Sequence, residues 1–210
     1  MKQELSTQKP VDLDFDDTTA RVQEAIHRSI NARDISRALR LERALKEIDE
    51  RCAIRPPKDK AAADDLLDEI LEAVMIASDA PLGNLQLLDA ATGALVIRVQ
   101  RGFDDPFIKF FRAVEKHEAA CGSAFAKGTP EVVEDVATSP LYSEAARTAM
   151  LAAGALAVQS VALSIRGRKF GVISVHYTTK SISALRQESF AAAAPLVSRV
   201  VATTLGLSGR

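Results

Sequence analysis

The residues able to do chemistry are few and scattered. Cys121 stands beside a glycine in ACGSAFAKGTPEVVEDV (120–136), at the head of a small-residue segment. A thiol reacts as the thiolate, and a helix N-terminus lowers its pKa, so redox or covalent chemistry is one reading. The other is a small apolar filler on a packed helix. His176 ends the apolar strand KFGVISVHY (169–177). Strand alternation puts Val172, Ser174 and His176 on one face and Ile173, Val175 and Tyr177 on the other. An imidazole there either satisfies itself with backbone or water, bonds a ligand, or gives a haem-type axial contact. Gln86 lies inside GNLQLLD (83–89). Burying an amide without partners costs about 1–3 kcal/mol. Gln86 is therefore bonded into the fold, at an exposed edge, or aimed at a ligand. Gln159 and Ser160 pose the same question, and being adjacent they leave open which faces a pocket. Tyr142, in SPLY, sits on a loop, where functional residues concentrate. The adjacent Glu134 and Asp135 diverge at a strand end and make a poor general acid/base pair, so Asp135 reads as a turn residue. His27, His117 and His176 have no metal-ligand spacing, no motif implies a cofactor, and Gly167 and Gly171 read as turn and packing glycines.

These residues need elements to position them. Residues 1–17 are polar, with Asp12, Asp14, Asp16 and Asp17 clustered, and read as a flexible leader. A helical extension spans 18–55: Val22, Ile26 and Ile30 fall four apart, then Leu41, Leu45, Ile48 and Cys52 follow. Asp34 is a candidate N-cap that would divide it into two helices. Glu42–Lys46 and Glu47–Arg51 are candidate i,i+4 pairs. The segment RPPKDK supplies a linker over 56–60, because proline cannot continue a helix. Helices are expected at 61–77, 104–114, 122–126, 144–153 and 183–205, the last kinked at Pro195. Strands are expected at 83–89, 94–100, 131–135, 155–165 and 169–177. The fold class is α+β: an antiparallel sheet of about five strands with helices on both faces.

Composition excludes several functions. The 210 residues carry 27 basic and 28 acidic side chains, a net charge of −1, which gives no general attraction to nucleic acid or anionic membrane. The seven arginines between Arg21 and Arg51 are interleaved with acids, and nucleic-acid binding needs denser clustering. The polar N-terminus MKQELSTQKP has no signal-peptide core, and the apolar run MLAAGALAVQSVALSI is too short to span a bilayer. Two cysteines, Cys52 and Cys121, suit a reducing compartment, so the expected location is cytoplasmic.

The order of GNLQLLD, ATGAL, RVQRGF, then ACGSAFAKGTPEVVEDVATSPLY, then AGALAVQSVALSIRGRKFGVISVHY resembles a bacterial GAF domain of the signalling type over 61–205. That resemblance implies a sensory and dimerisation module with a pocket between the sheet and the loop-and-helix side. The ligand-contact set it leads us to expect is Gln86, Phe111, Cys121, Tyr142, Ser174 and His176, with no catalytic residue. Fold alone does not name the ligand. The Asn-Lys-Xaa-Phe-Asp-Glu pattern of cyclic-nucleotide-binding members is absent, and Cys121 is followed by Gly122 rather than by the histidine of bilin-attaching members. Free-methionine-sulfoxide reductases share the Cys-Gly motif. Their catalytic thiol would fall in 137–155, which has no cysteine, and their pocket acids near Val158, Ser174 and His176.

The expected function is therefore a small-molecule sensor in signal transduction. It would lack an output module of its own and act as a homodimer or through a signalling partner, with residues 18–55 as the docking helix. The alternatives are a thiol redox enzyme using Cys121, and a structural dimerisation module without a ligand.

Overall fold

The computed structural model describes residues 15–114 and 119–207. Helix α1 runs unbroken from Phe15 to Ile54, so Asp34 is not an N-cap; it lies inside the helix, 3.5 Å from Arg37. Residues 1–14 of the leader expected over 1–17 lie outside the described residues, and Phe15, Asp16 and Asp17 belong to α1. Helix α2 (Lys60–Ser78) starts where Asp59 of the linker accepts from the Ala62 amide, and ends at Asp79 in the left-handed conformation. Then follow β1 (Leu82–Leu88), β2 (Leu95–Arg101), α3 (Asp105–Phe110), β3 (Ala113–Val114), α4 (Ala119–Lys127), β4 (Glu131–Val133), α5 (Glu144–Ala152), β5 (Ala157–Ile165), β6 (Arg168–Tyr177) and α6 (Ala184–Thr204). Pro195 sits inside α6 without interrupting it.

The five expected strands form one antiparallel sheet, and β3 adds a sixth, two-residue strand at its edge in the order β3-β2-β1-β6-β5-β4. Residues 104–114 were expected to be one helix. Instead α3 is six residues long, capped by the Asp104 carboxylate on the Phe107 amide, and the chain then extends to pair Ala113 and Val114 with β2. Phe107 and Phe111 enter the buried second core, while Phe110 stays exposed.

The sheet divides two cores. On one face Leu85, Val161, Leu163, Ile173, Val175 and Tyr177 pack under α1, α2 and α6. On the other, Leu95, Val158 and Val172 pack with Phe103, Phe107, Phe111 and Met150 beneath α3, α4 and α5. The two strands nearest the centre approach closely: a Cβ on Gly171 would lie 2.4 Å from the Gln86 carbonyl oxygen. Glycine at 171 therefore lets β1 and β6 approach this closely, on the face of the first core.

The packing of α1 differs from expectation. Leu41, Leu45, Ile48 and Cys52 were read as a face for a partner, and Cys52 as lying outside the domain. All four are buried in this chain's own helix layer. Helix α1 runs antiparallel to α2, with Arg37 3.1 Å from Asp79 and Arg51 paired with Glu69. It runs parallel to α6, with Asp49 3.2 Å from Arg199 and Cys52 3.6 Å from Thr204. The expected i,i+4 pairs are replaced: Arg51 reaches Glu69 and Lys46 lies 3.9 Å from Glu50. For Arg51 the reason is the helix layer, which supplies in Glu69 of α2 a partner that a lone helix lacks; Lys46 stays within α1, with an acid one turn later in place of Glu42. Asp34 shares a groove with Arg186, in the first turn of α6. Residues 15–33 therefore carry α1 about 28 Å beyond the start of α6, at about 1.5 Å per residue.

Candidate functional site

The site is built on the sheet face opposite α1. Alternation along β1 sends Asn84 and Gln86 to this face. Along β6 it sends Val172, Ser174 and His176, and along β5 Val158 and Ser160. Cross-strand register aligns Asn84 with Ser174, Ser174 with Ser160, and His176 with Val158. Five polar side chains thus lie side by side on a sheet face that also carries the second core. Gln86 is 2% exposed, and Asn84 and His176 are each 5% exposed.

Gln159 and Ser160 part company. Ser160 joins the row, its hydroxyl 2.7 Å from that of Ser174. Gln159 points to the helix layer and donates to the Tyr177 hydroxyl at 2.6 Å.

The roof comes from three elements. Phe107 and Phe111 bracket α3, with ring centres 4.7 Å apart, and Phe103 stacks on Phe107 at 3.7 Å. The His176 ring meets Phe103 edge-on, 5.0 Å away. Ala119, Ala120 and Cys121 come from the first turn of α4, Tyr142 from the loop before α5, and Met150 from α5. The loop is pinned by Arg147, whose guanidinium donates to the carbonyls of Val136 (2.9 Å), Ala137 (2.6 Å) and Tyr142 (3.0 Å).

All six residues expected at the site, Gln86, Phe111, Cys121, Tyr142, Ser174 and His176, line one cavity of about 20 Å³. That is room for about one water. Larger grooves, of about 310 and 700 Å³, run along α1 beside α6 and α2, away from this row. Sequence reasoning missed Asn84, Met150 and Arg147. The i,i+2 spacing from Gln86 was the available signal for Asn84; nothing local marked the other two.

Among the described residues, the cavity wall carries no Asp, Glu, Lys or Arg. Burial pushes the His176 pKa down to about 3, leaving the ring neutral at physiological pH. Asn84 Nδ2 lies 3.2 Å from His176 Nε2. An amide nitrogen only donates, so Nε2 accepts and the proton of the neutral ring sits on Nδ1. Asn84 Oδ1, Gln86 Oε1 and His176 Nδ1 are buried without a hydrogen-bond partner. Burial also raises the Tyr142 pKa, with a smaller contribution from Cys121 nearby. Cys121 is a half-buried thiol in the third position of α4. Cys52 is buried beyond the sheet, in the other core. The acids beside the site have other duties. Burial opposes ionisation of Glu131, but Lys127 (2.7 Å) and Ser123 (2.6 Å) hold its carboxyl below the usual range. Asp135 forms a turn by accepting from the Ala137 amide at 3.0 Å, and pairs with Lys180 at 2.9 Å. Among the described residues, no three metal-ligating side chains converge, and no helix is long and apolar enough to cross a membrane. His117 lies outside the described residues, as does any account of the His27 side chain.

Neither a family model nor a curated protein sequence matches the chain. Solved structures do. A free methionine-R-sulfoxide reductase from Neisseria meningitidis, solved with its substrate, is 17% identical with a TM-score of 0.60, covering 80% of this chain and 92% of that one. The GAF domain of a phosphoenolpyruvate-protein phosphotransferase from Coxiella burnetii is 14% identical with a TM-score of 0.61, covering 80% and 96%. The A. aeolicus nlh2 GAF domain in an inactive state is 16% identical with a TM-score of 0.58, covering 80% and 97%. The antiparallel sheet with helices on both faces is, in this chain as in those, a GAF-type fold.

Proposed function

We propose that this chain is a small-molecule-sensing module for cytoplasmic signal transduction, with its ligand held between the sheet and the α3–α5 roof. The observation that carries this reading is the buried polar row Asn84, Gln86, Ser160, Ser174 and His176, of which three atoms lack partners. Leaving a buried polar group unpaired costs about 1–3 kcal/mol, and a site that must recognise a ligand has reason to bear that cost. The likeness to GAF domains of signalling proteins supports the same reading. The ligand would shift the roof and bias the packing of α1, α2 and α6 across the sheet. The extension of α1 beyond α6 would carry that bias to a second copy or to a signalling partner. Most helical stability in proteins comes from packing of one face, which this segment would gain against such a partner. Exposed Ile35 and Leu39, each about 60% accessible, continue the apolar character of this segment.

Native mass spectrometry of the chain purified from its own cells tests this. The expected result is a dimer that retains a small molecule, and a Gln86→Met variant that retains much less. A bare chain whose thermal stability no metabolite extract shifts would overturn it.

Two other readings each have a supporting observation. The cavity of about 20 Å³ favours a structural module whose own side chains fill the pocket. The likeness to two methionine-R-sulfoxide reductases, together with Cys121 on the cavity wall, favours a thiol enzyme. Against the latter, Cys52 lies on the far side of the sheet, and an oxidised Cys121 would need another thiol to resolve it. Reduction of free methionine sulfoxide should therefore be undetectable, and unchanged in Cys121→Ser. Turnover lost in that variant would establish the enzyme.

A further inference from the structure

We infer that the cavity ligand is a small, flat, uncharged molecule of the amide or urea class, held by Asn84 Oδ1, Gln86 Oε1 and His176 Nδ1. The inference deepens the sensor reading and rests on it.

The donors and acceptors on the wall fix the hydrogen-bonding class. Asn84 Oδ1 and Gln86 Oε1 are both acceptors, both buried, and both without partners. They stand two residues apart on one face of β1, so they ask for two donors on one ligand. The third group is a donor. Because Asn84 Nδ2 donates to His176 Nε2 at 3.2 Å, the imidazole proton is on Nδ1, where it meets no acceptor. Two N–H groups beside one carbonyl oxygen are the complement of this set. A carboxylate would leave both amide oxygens facing a second acceptor. An ammonium would leave the His176 N–H facing a donor.

Charge gives the same answer independently. Among the described residues no Asp, Glu, Lys or Arg lines the cavity, and burial keeps His176 neutral. Glu131 is already committed to Ser123 and Lys127. A charged ligand would find no counter-ion among these residues, and proteins avoid burying an unpaired charge. Shape supplies the third constraint: Phe107, Phe111 and Tyr142 offer aromatic walls above the sheet, which suit a planar molecule. The volume of about 20 Å³ means that such a ligand enters only as Phe111, Tyr142 or Met150 moves aside. Binding and roof movement are therefore one event.

The test titrates the full chain, labelled with ¹⁵N-histidine, with three probes of similar size: 2-imidazolidinone, propionate and propylammonium. Before addition, the His176 ring should show the Nδ1–H tautomer. The expected result is that 2-imidazolidinone alone moves the His176 Nδ1 resonance, and that its Kd weakens tenfold or more in Gln86→Met. Methionine is apolar at nearly the same volume, and a thermal melt checks that the variant is folded. Should the variant fail to fold, the His176 shift in the unmodified chain still reports the contact. Propionate or propylammonium moving His176 with equal or higher affinity would overturn the inference while leaving the sensor reading intact. So would binding of 2-imidazolidinone unaffected by Gln86→Met. If no probe moves His176, the inference fails; if native mass spectrometry also finds no retained molecule, the sensor reading fails with it.

Discussion

Leu45→Ala is expected to lower the unfolding free energy by about 2–5 kcal/mol, the usual range for truncating a fully buried leucine. Leu45 has no solvent exposure and sits at the middle of the stripe Leu41, Leu45, Ile48 and Cys52. Around it lie Leu67, Ile70, Leu71 and Val74 of α2 and Val197, Val200 and Val201 of α6, all in the same core. The cavity left by the missing branch has little means of collapsing, because two neighbouring helices are themselves anchored to the sheet. Urea unfolding measures the loss, as a lower midpoint at unchanged slope. Ile35→Ala and Leu39→Ala supply the contrast. Both side chains are exposed in the single chain, so its stability should change by less than about 0.5 kcal/mol. If the extension pairs with a second copy, these two variants weaken the dimer instead. A change below about 0.5 kcal/mol for Leu45→Ala would mean that α1 is an appendage after all.

The second large effect is on acid stability. The His176 ring is neutral in the folded chain down to about pH 3, because burial removes the water that would solvate its charge. In the unfolded chain it takes up a proton near pH 6.5. Between those values the unfolded state holds the extra proton, so stability falls as the pH falls. The contribution is intact above pH 6.5 and is lost at up to about 1.4 kcal/mol per pH unit below it. From pH 7 to pH 5 that amounts to about 2 kcal/mol from this one group. His176→Phe keeps an aromatic ring but removes the titration. The unmodified chain should therefore lose stability relative to His176→Phe as the pH falls from 7 to 5. Glu131 and Asp135, whose carboxyls sit below their usual range, add acid sensitivity at lower pH in both proteins and cancel in the difference. Parallel curves would show that His176 is reached by water.

The acid sensitivity and the proposed ligand site have one origin. A polar row was placed on a sheet face where apolar residues would be more stable, and His176 is its only titratable member. Its neutrality suits an uncharged ligand, and the same burial makes the fold acid-labile.

Much of the fold was legible because local patterns carry it. Period-two alternation in 169–177 separated Ser174 and His176 from Val175 and Tyr177, and the structure keeps that separation. The turn around Gly167 is likewise local: Arg166 and Gly167 both have positive φ, at 51° and 77°. The caps at Ser143 and Ser183 follow from short side chains that reach amides three residues ahead. Where the reading went astray, the deciding partner lay far along the chain. The stripe 41–52 fits a partner's helix as well as its own domain, and the packing of α2 and of α6, some 150 residues later, makes it part of the core. Helix α3 stops early because Ala113 and Val114 find the edge of β2.

The sequence by itself determined five of the six strands, the order of the helices and the alternation along the strands, since these depend on spacing between near neighbours; β3, the early end of α3 and the continuity of α1 it did not. Tertiary structure alone decided that Asn84 joins Gln86 and His176, that Ser160 rather than Gln159 faces the cavity, and that Arg147 pins the loop carrying Tyr142. Those facts depend on cross-strand register and on which face of the sheet each helix covers. A one-residue slip in pairing would send the whole polar row to the opposite core.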